Sequence, residues 1–106
     1  MELISREELK SKLDRGDDFK LVMVMHEWAY QAQHIPGSQN ASKVVDTAAY
    51  ARDDEIVVYC TGSPCISSQQ AYAFLVNQGY TNVRRYAGGL EDWAIAGYPL
   101  EGEQVD

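Results

Sequence analysis

The sequence predicts an α/β domain built around a mainly parallel sheet flanked by helices on both faces. Three observations carry this expectation. Short apolar, β-branched runs recur at residues 19–25, 55–60 and 82–86, each too brief for a helix and rich enough for a buried strand. Segments with helix caps and stops alternate with these runs, which is the pattern of strands joined by helical crossovers. Finally, 106 residues with 45% hydrophobic content and no repeat, low-complexity tract or linker describe one core, so residues 1–106 are expected to form a single domain.

The elements follow in order. Ser5 with Glu8 three residues later is a capping-box pattern, and Leu9 and Leu13 lie one turn apart on the helix it opens, which ends near Gly16. The run 19–25 is the first strand and stops at His26. Residues 28–33 form a short helix or turn, and Pro36 with Gly37 punctuates the backbone after His34 and Ile35. Residues 41–45 carry no decisive pattern. Asp46 is placed to cap a two-turn helix over 46–52, with Ala48, Ala49 and Tyr50 compatible with it. The run 55–60 is the clearest strand and ends at Cys60, followed by the turn-forming Thr61, Gly62, Ser63 and Pro64. Ser67 or Ser68 caps the next helix, which puts Ala71, Phe74 and Leu75 on one face and stops at Gly79. Residues 82–86 give a further strand. Gly88 and Gly89 then turn the chain into a last helix bearing Leu90, Trp93 and Ala94, terminated by Gly97 and Pro99.

Charge excludes some functions. Nine Lys and Arg against 16 Asp and Glu give a net charge of −7, so the chain offers a nucleic-acid backbone no cationic footprint and no such partner is expected. No apolar run approaches the roughly 20 residues of a membrane span, and the first residues lack the order of a signal peptide. A cytoplasmic protein without membrane contact is the expectation. In a reducing compartment, two cysteines point to catalysis, redox chemistry or metal binding sooner than to a structural framework.

The chemistry is expected at Cys60. In a parallel sheet, sites form at the carboxyl ends of strands, where loop amides and a helix N-terminus favour a thiolate over a thiol. No Asp, Glu, Lys or Arg occurs from Ile56 through Val83 in a chain that is 24% charged. An anion held there is held by backbone amides and by the hydroxyls of Thr61, Ser63, Ser67 and Ser68. A cysteine phosphatase requires a loop arginine to match a phosphoryl dianion. The first arginine after Cys60 is Arg84, which excludes that class.

Taken together, the ordered segments His34-Ile35-Pro36-Gly37-Ser38, Ile56-Val57-Val58-Tyr59-Cys60, Ala71-Tyr72-Ala73-Phe74-Leu75, Gly79-Tyr80, Asn82-Val83, Gly88-Gly89, Trp93 and Gly97-Tyr98-Pro99 resemble a single-domain rhodanese over most of the chain. The resemblance implies a five-stranded sheet and transfer of a sulfane sulfur through a persulfide on the loop cysteine. Cys60 matches that nucleophile. The loop is about two residues longer than the family's if Cys60 is the nucleophile, and about three too short if Cys65 is. Two features of the family are missing: a basic residue in the loop, and an Asp-x-Arg pattern at the first buried strand, where Met23-Val24-Met25 stands.

The expected site is therefore Cys60 as nucleophile, with Thr61, Gly62, Ser63, Cys65, Ile66 and Ser67 forming the cradle. The donor is thiosulfate or a small-molecule or protein persulfide, with a persulfide favoured by the neutral loop. The acceptor is cyanide or a thiol such as glutathione or thioredoxin, and no cofactor is expected. Cys65 is either a small loop residue or a thiol that resolves or relays the sulfur on Cys60. A zinc site combining Cys60, Cys65, His26 and His34 would lack adjacent histidines, and no metal is expected. His34 is read as a structural hydrogen-bonding residue and His26 as a rim group or base. Trp28, Tyr30, Tyr59 and Trp93 are read as packing residues. At most one of Arg84 and Arg85 leans toward the site face, and the other is expected to be solvated. Two competing functions are a dithiol redox switch using Cys60 and Cys65, and a non-catalytic rhodanese-like binding module.

Overall fold

The computed structural model describes residues 1–62 and 65–105. Helix α1 (Arg6–Arg15) opens where Ser5 Oγ accepts the Glu8 N–H at 3.1 Å and closes at Gly16, whose φ of 71° needs no side chain. Strand β1 (Lys20–Val24) leads to helix α2 (Glu27–Ala32) and the short strand β2 (Gln39–Ala41). Strand β3 (Ile56–Tyr59), helix α3 (Ser67–Asn77), strand β4 (Val83–Tyr86) and helix α4 (Gly89–Ile95) complete the order.

Every strand pairing is parallel, in the order β2-β1-β3-β4. Side chains alternate across the sheet, so two cores form. Leu21, Met23, Val57, Tyr59 and Tyr86 face α1 and α4, where Leu9 and Trp93 meet them. Val22, Val24, Ile56, Val58 and Val83 face α3, where Ala71 and Leu75 meet them. Helices thus cover both faces, as the sequence predicts.

Two expectations are corrected. The sheet has four strands among the described residues, not five. The place beyond β4 is taken by a single parallel bridge, with Arg85 N–H donating to Glu2 O and Ile4 N–H to Arg85 O. The extended stretch there ends at the Ser5 cap, too soon for a strand. Nor does a helix form over 46–52. Val44–Thr47 makes one 3₁₀ turn instead, and the buried Thr47 donates its hydroxyl to Val44 O at 2.6 Å, closing the turn on itself.

This topology selects one edge of the sheet. From β1 the chain moves outward to β2, then crosses back to β3 and continues the other way to β4. The strand order reverses between β1 and β3, so a crevice opens outside their carboxyl ends.

Candidate active site

Cys60 directly follows β3 at that crevice and is 1% exposed. Its carbonyl accepts from Leu90 N–H at 2.9 Å, and the Thr61 carbonyl accepts from Glu91 N–H at 2.8 Å, both at the start of α4. The peptides of the described residues are trans, so each N–H points opposite to the carbonyl of its own peptide group. With the Cys60 and Thr61 carbonyls committed to α4, the Thr61 and Gly62 amides point away from that helix. Loop amides on the side opposite α4 are the donor arrangement expected of a cradle.

Gly89 makes the approach of α4 possible. Its φ is 64°, and a Cβ there would lie 2.5 Å from Cys60 O, 2.9 Å from Gly62 N and 3.0 Å from the Thr61 carbonyl carbon. All three are backbone atoms of the loop and cannot swing aside. Sequence reading finds a turn at this glycine, but its contact with the cysteine loop spans residues distant in the chain and leaves no local signal.

After Gly62 the loop turns back, with Cys65 N–H donating to Gly62 O at 3.1 Å. Cys60 and Cys65 form a disulfide whose Cα atoms lie 6.3 Å apart. Their sulfurs therefore meet, and Cys65 is more than a small apolar residue of the loop. Thr61 Oγ1 lies 3.9 Å from Cys60 Sγ. Ile66, immediately before α3, is 60% exposed and makes no side-chain cap bond, and no acidic residue occupies the first turn of α3. The opening N–H groups of α3 therefore have no capping side chain from Ile66 to neutralise them, which leaves their partial positive charge at the loop. Ser67 opens that turn and is half-buried. Ser63, expected in the cradle, lies outside the described residues, as does Pro64.

The arginines divide as alternation requires. Arg84 faces α1 and pairs with Glu8 at 2.7 Å, so it is ion-paired instead of merely solvated. Arg85 shares the α3 face with Val83 and is 6% exposed, with Nε donating to the buried Ser68 Oγ at 2.8 Å. Burial pushes the guanidinium pKa down from its usual value. A buried cation thus stands against the first turn of the helix that follows the loop.

The remaining candidates sit farther out. His26 is exposed before α2 at the same sheet edge, its ring stacked 6.4 Å from that of Trp28. Trp28 is 70% exposed: it is a surface side chain and not a core one. His34 is structural. Its Nδ1 is bonded to Tyr30 O at 2.8 Å, its ring stacks on Tyr30 at 4.0 Å, and its backbone pairs with Glu101. Tyr59 is core, its hydroxyl accepting from Ile35 N–H at 3.0 Å and bonded to Ser38 Oγ at 2.9 Å. Trp93 is likewise buried in the core, with Nε1 donating to Pro99 O at 2.8 Å. Among the described residues, no group of three or more His, Cys, Asp or Glu is placed to hold a metal ion. No helix among them is long and apolar enough to cross a membrane.

Comparison with known proteins agrees with this geometry. The sequence model of the rhodanese-like domain matches residues 5–96. The chain is 34% identical over 101 residues to the HTH-type transcriptional regulator Rv0324 of Mycobacterium tuberculosis, covering 92% of this chain and 44% of that protein. It is 41% identical over 64 residues to the thiosulfate sulfurtransferase GlpE of Actinobacillus succinogenes, covering 60% of this chain and 54% of that protein. The chain thus spans about half the length of these curated relatives. Among solved structures, the Alr3790 protein of Anabaena superposes with a TM-score of 0.82 at 30% identity, covering 93% of this chain and 80% of that one.

Proposed function

The chain belongs to the rhodanese-like domain family, and from that premise we propose that it is a sulfurtransferase whose nucleophile is Cys60. The observation that carries this reading is the position of Cys60, at the end of β3 beside loop amides that point away from α4 and close to the start of α3, where Ile66 supplies no side-chain cap. Such surroundings lower a thiol pKa and hold an anion without a cationic side chain in the loop.

The cycle begins from the dithiol, since Cys60 in a disulfide is not a thiolate and cannot act as the nucleophile. Two equivalents of a low-molecular-weight thiol reduce the Cys60–Cys65 bond and leave as their own disulfide. The Cys60 thiolate then attacks the outer sulfur of the donor. The donor S–S bond breaks, sulfite leaves from thiosulfate or a thiolate from a persulfide, and Cys60 carries a persulfide. The amides of Thr61 and Gly62 and the first turn of α3 stabilise its negative outer sulfur, with Ile66 and Ser67 completing the cradle. An acceptor thiolate or cyanide attacks that outer sulfur and the Cys60 thiolate departs.

The donor class follows from charge. A net charge of −7 and an uncharged stretch from Ile56 to Val83 repel a dianion at long range, and the buried Arg85 offsets this only locally. A persulfide carried by a small thiol or a protein therefore suits the site better than thiosulfate, with glutathione or a thioredoxin as acceptor. The test is turnover by the reduced protein with thiosulfate or glutathione persulfide as donor. Activity with either donor, higher kcat/KM for the persulfide, and loss of both in Cys60→Ser support the reading. Turnover retained in Cys60→Ser overturns it.

A further inference from the structure

Cys65 is the part of this site that sulfur transfer does not use. It is half-buried, sits five residues after the nucleophile, and its sulfur bonds directly to Cys60 Sγ. We propose that Cys65 is a resolving thiol that discharges the Cys60 persulfide as hydrogen sulfide, giving the domain a second activity as a persulfide reductase. This inference rests on Cys60 being the sulfur-carrying nucleophile.

The geometry separates two fates of the persulfide. A thiolate attacking its outer sulfur takes that sulfur over, which relays it and leaves Cys60 as a thiolate. A thiolate attacking the inner sulfur, Cys60 Sγ itself, forms a protein disulfide and expels hydrosulfide. The observed bond joins Cys65 Sγ to Cys60 Sγ, so the loop backbone accommodates the product of inner attack. Gly62 O accepts the Cys65 N–H, and the Cys60 and Thr61 carbonyls are fixed by α4.

The step balances. The Cys65 S–H proton is lost to solvent, its thiolate forms a bond to Cys60 Sγ, and the bond from Cys60 Sγ to the outer sulfur breaks. The outer sulfur takes up one proton from solvent and leaves with the electron pair of that bond as hydrosulfide, and a second proton makes it hydrogen sulfide. The two cysteines are oxidised together by two electrons and the sulfane sulfur is reduced by two. Low-molecular-weight thiols restore the dithiol, as at the start of the transfer cycle.

Proximity decides when this happens. Two groups tethered by a short stretch of chain meet at effective concentrations of about millimolar or higher. A thiol acceptor must exceed that level, or bind specifically, to intercept the sulfur before Cys65 does. With scarce acceptor the domain releases hydrogen sulfide and locks as a disulfide, in which Cys60 accepts no further sulfur. With abundant acceptor it transfers.

The test is a single turnover of the fully reduced protein, freed of reductant, with one equivalent of glutathione persulfide and no other thiol. Sulfide is followed continuously and the protein mass is read at the end. In the wild type, close to one sulfide per chain is expected, with loss of two hydrogens linking Cys60 to Cys65. In Cys65→Ser and Cys65→Ala, sulfide release is expected to fall at least about tenfold below that of the wild type, with the added sulfur retained on Cys60. A wild type that holds its persulfide as long as both variants overturns the resolving role and leaves sulfur transfer standing. Failure of wild type and variants alike to take up sulfur, while circular dichroism shows them folded, overturns the transfer reading on which it rests.

Discussion

Gly89→Ala isolates the contact that holds the cysteine loop. The added methyl group must adopt a left-handed backbone, which costs about 1–2 kcal/mol for a residue other than glycine. It must also displace Cys60 O at 2.5 Å, Gly62 N at 2.9 Å and the Thr61 carbonyl carbon at 3.0 Å. These are backbone atoms, so relief requires moving the loop or α4, and overpacking of this kind costs about 1–3 kcal/mol more. The total of about 2–5 kcal/mol is a large share of the roughly 5–15 kcal/mol that holds a domain of this size together. Gly16→Ala supplies the control. Gly16 has a similar φ of 71° but nothing within 4 Å of the added atom, so it carries only the backbone cost. Urea denaturation of both variants in the reduced state separates the two contributions, and sulfur uptake reports the loop. Gly89→Ala is expected to lose at least about 1 kcal/mol more than Gly16→Ala and to take up sulfur more slowly. Equal destabilisation with unchanged uptake would refute the claim that α4 positions the loop.

Other consequences are equally open to measurement. Tyr59→Phe leaves Ile35 N–H and Ser38 Oγ without their buried partner, and denaturation should show a loss of about 1–3 kcal/mol; an unchanged midpoint contradicts this. Arg85→Lys removes the Nε donor to Ser68 Oγ beneath the first turn of α3, so a loss of about 1.5–3 kcal/mol is expected, with slower sulfur uptake. The Arg84 hydrogen bond lowers the Glu8 carboxyl pKa in the folded state. The resulting stability is present above the usual carboxylate range and is lost as pH falls through the folded value. The pair is half-exposed on the Glu8 side, so solvent screening limits it to about 0.2–1 kcal/mol. Arg84→Gln should flatten the acid-side fall in the urea midpoint by that amount, and an identical pH profile would contradict the pairing.

What the residues announced in advance was mostly local. The Ser5 cap and Gly16 stop bound α1 where the pattern puts them, because both act within one turn of chain. Strands β1, β3 and β4 fall within the runs 19–25, 55–60 and 82–86, since burial on both faces demands continuous apolar sequence. Strand β2 left no such mark. Gln39, Asn40 and Ala41 form an edge strand whose pairing with β1 is decided by register and not by composition. The helix expected over 46–52 rested on the Asp46 cap and propensity, and the buried Thr47 instead closes a 3₁₀ turn with its hydroxyl on Val44 O. At the candidate site, the position of Cys60 was legible because it ends the clearest strand. Its disulfide partner was legible only as a possibility, because meeting of the two sulfurs depends on the direction of the loop. The Gly89 contact and the Ser68–Arg85 bond join residues 17 or more apart in the chain, and no pattern in the sequence reaches that far.

In the proposed cycle the sulfur is carried on Cys60. Peptide mass spectrometry of the reduced protein after exposure to glutathione persulfide, with thiols blocked at short times, tests it most directly. One sulfur atom added to the side chain of Cys60, removed by cyanide and absent in Cys60→Ser, is the expected result. Sulfur found first on Cys65, or on neither cysteine with any donor, would contradict it.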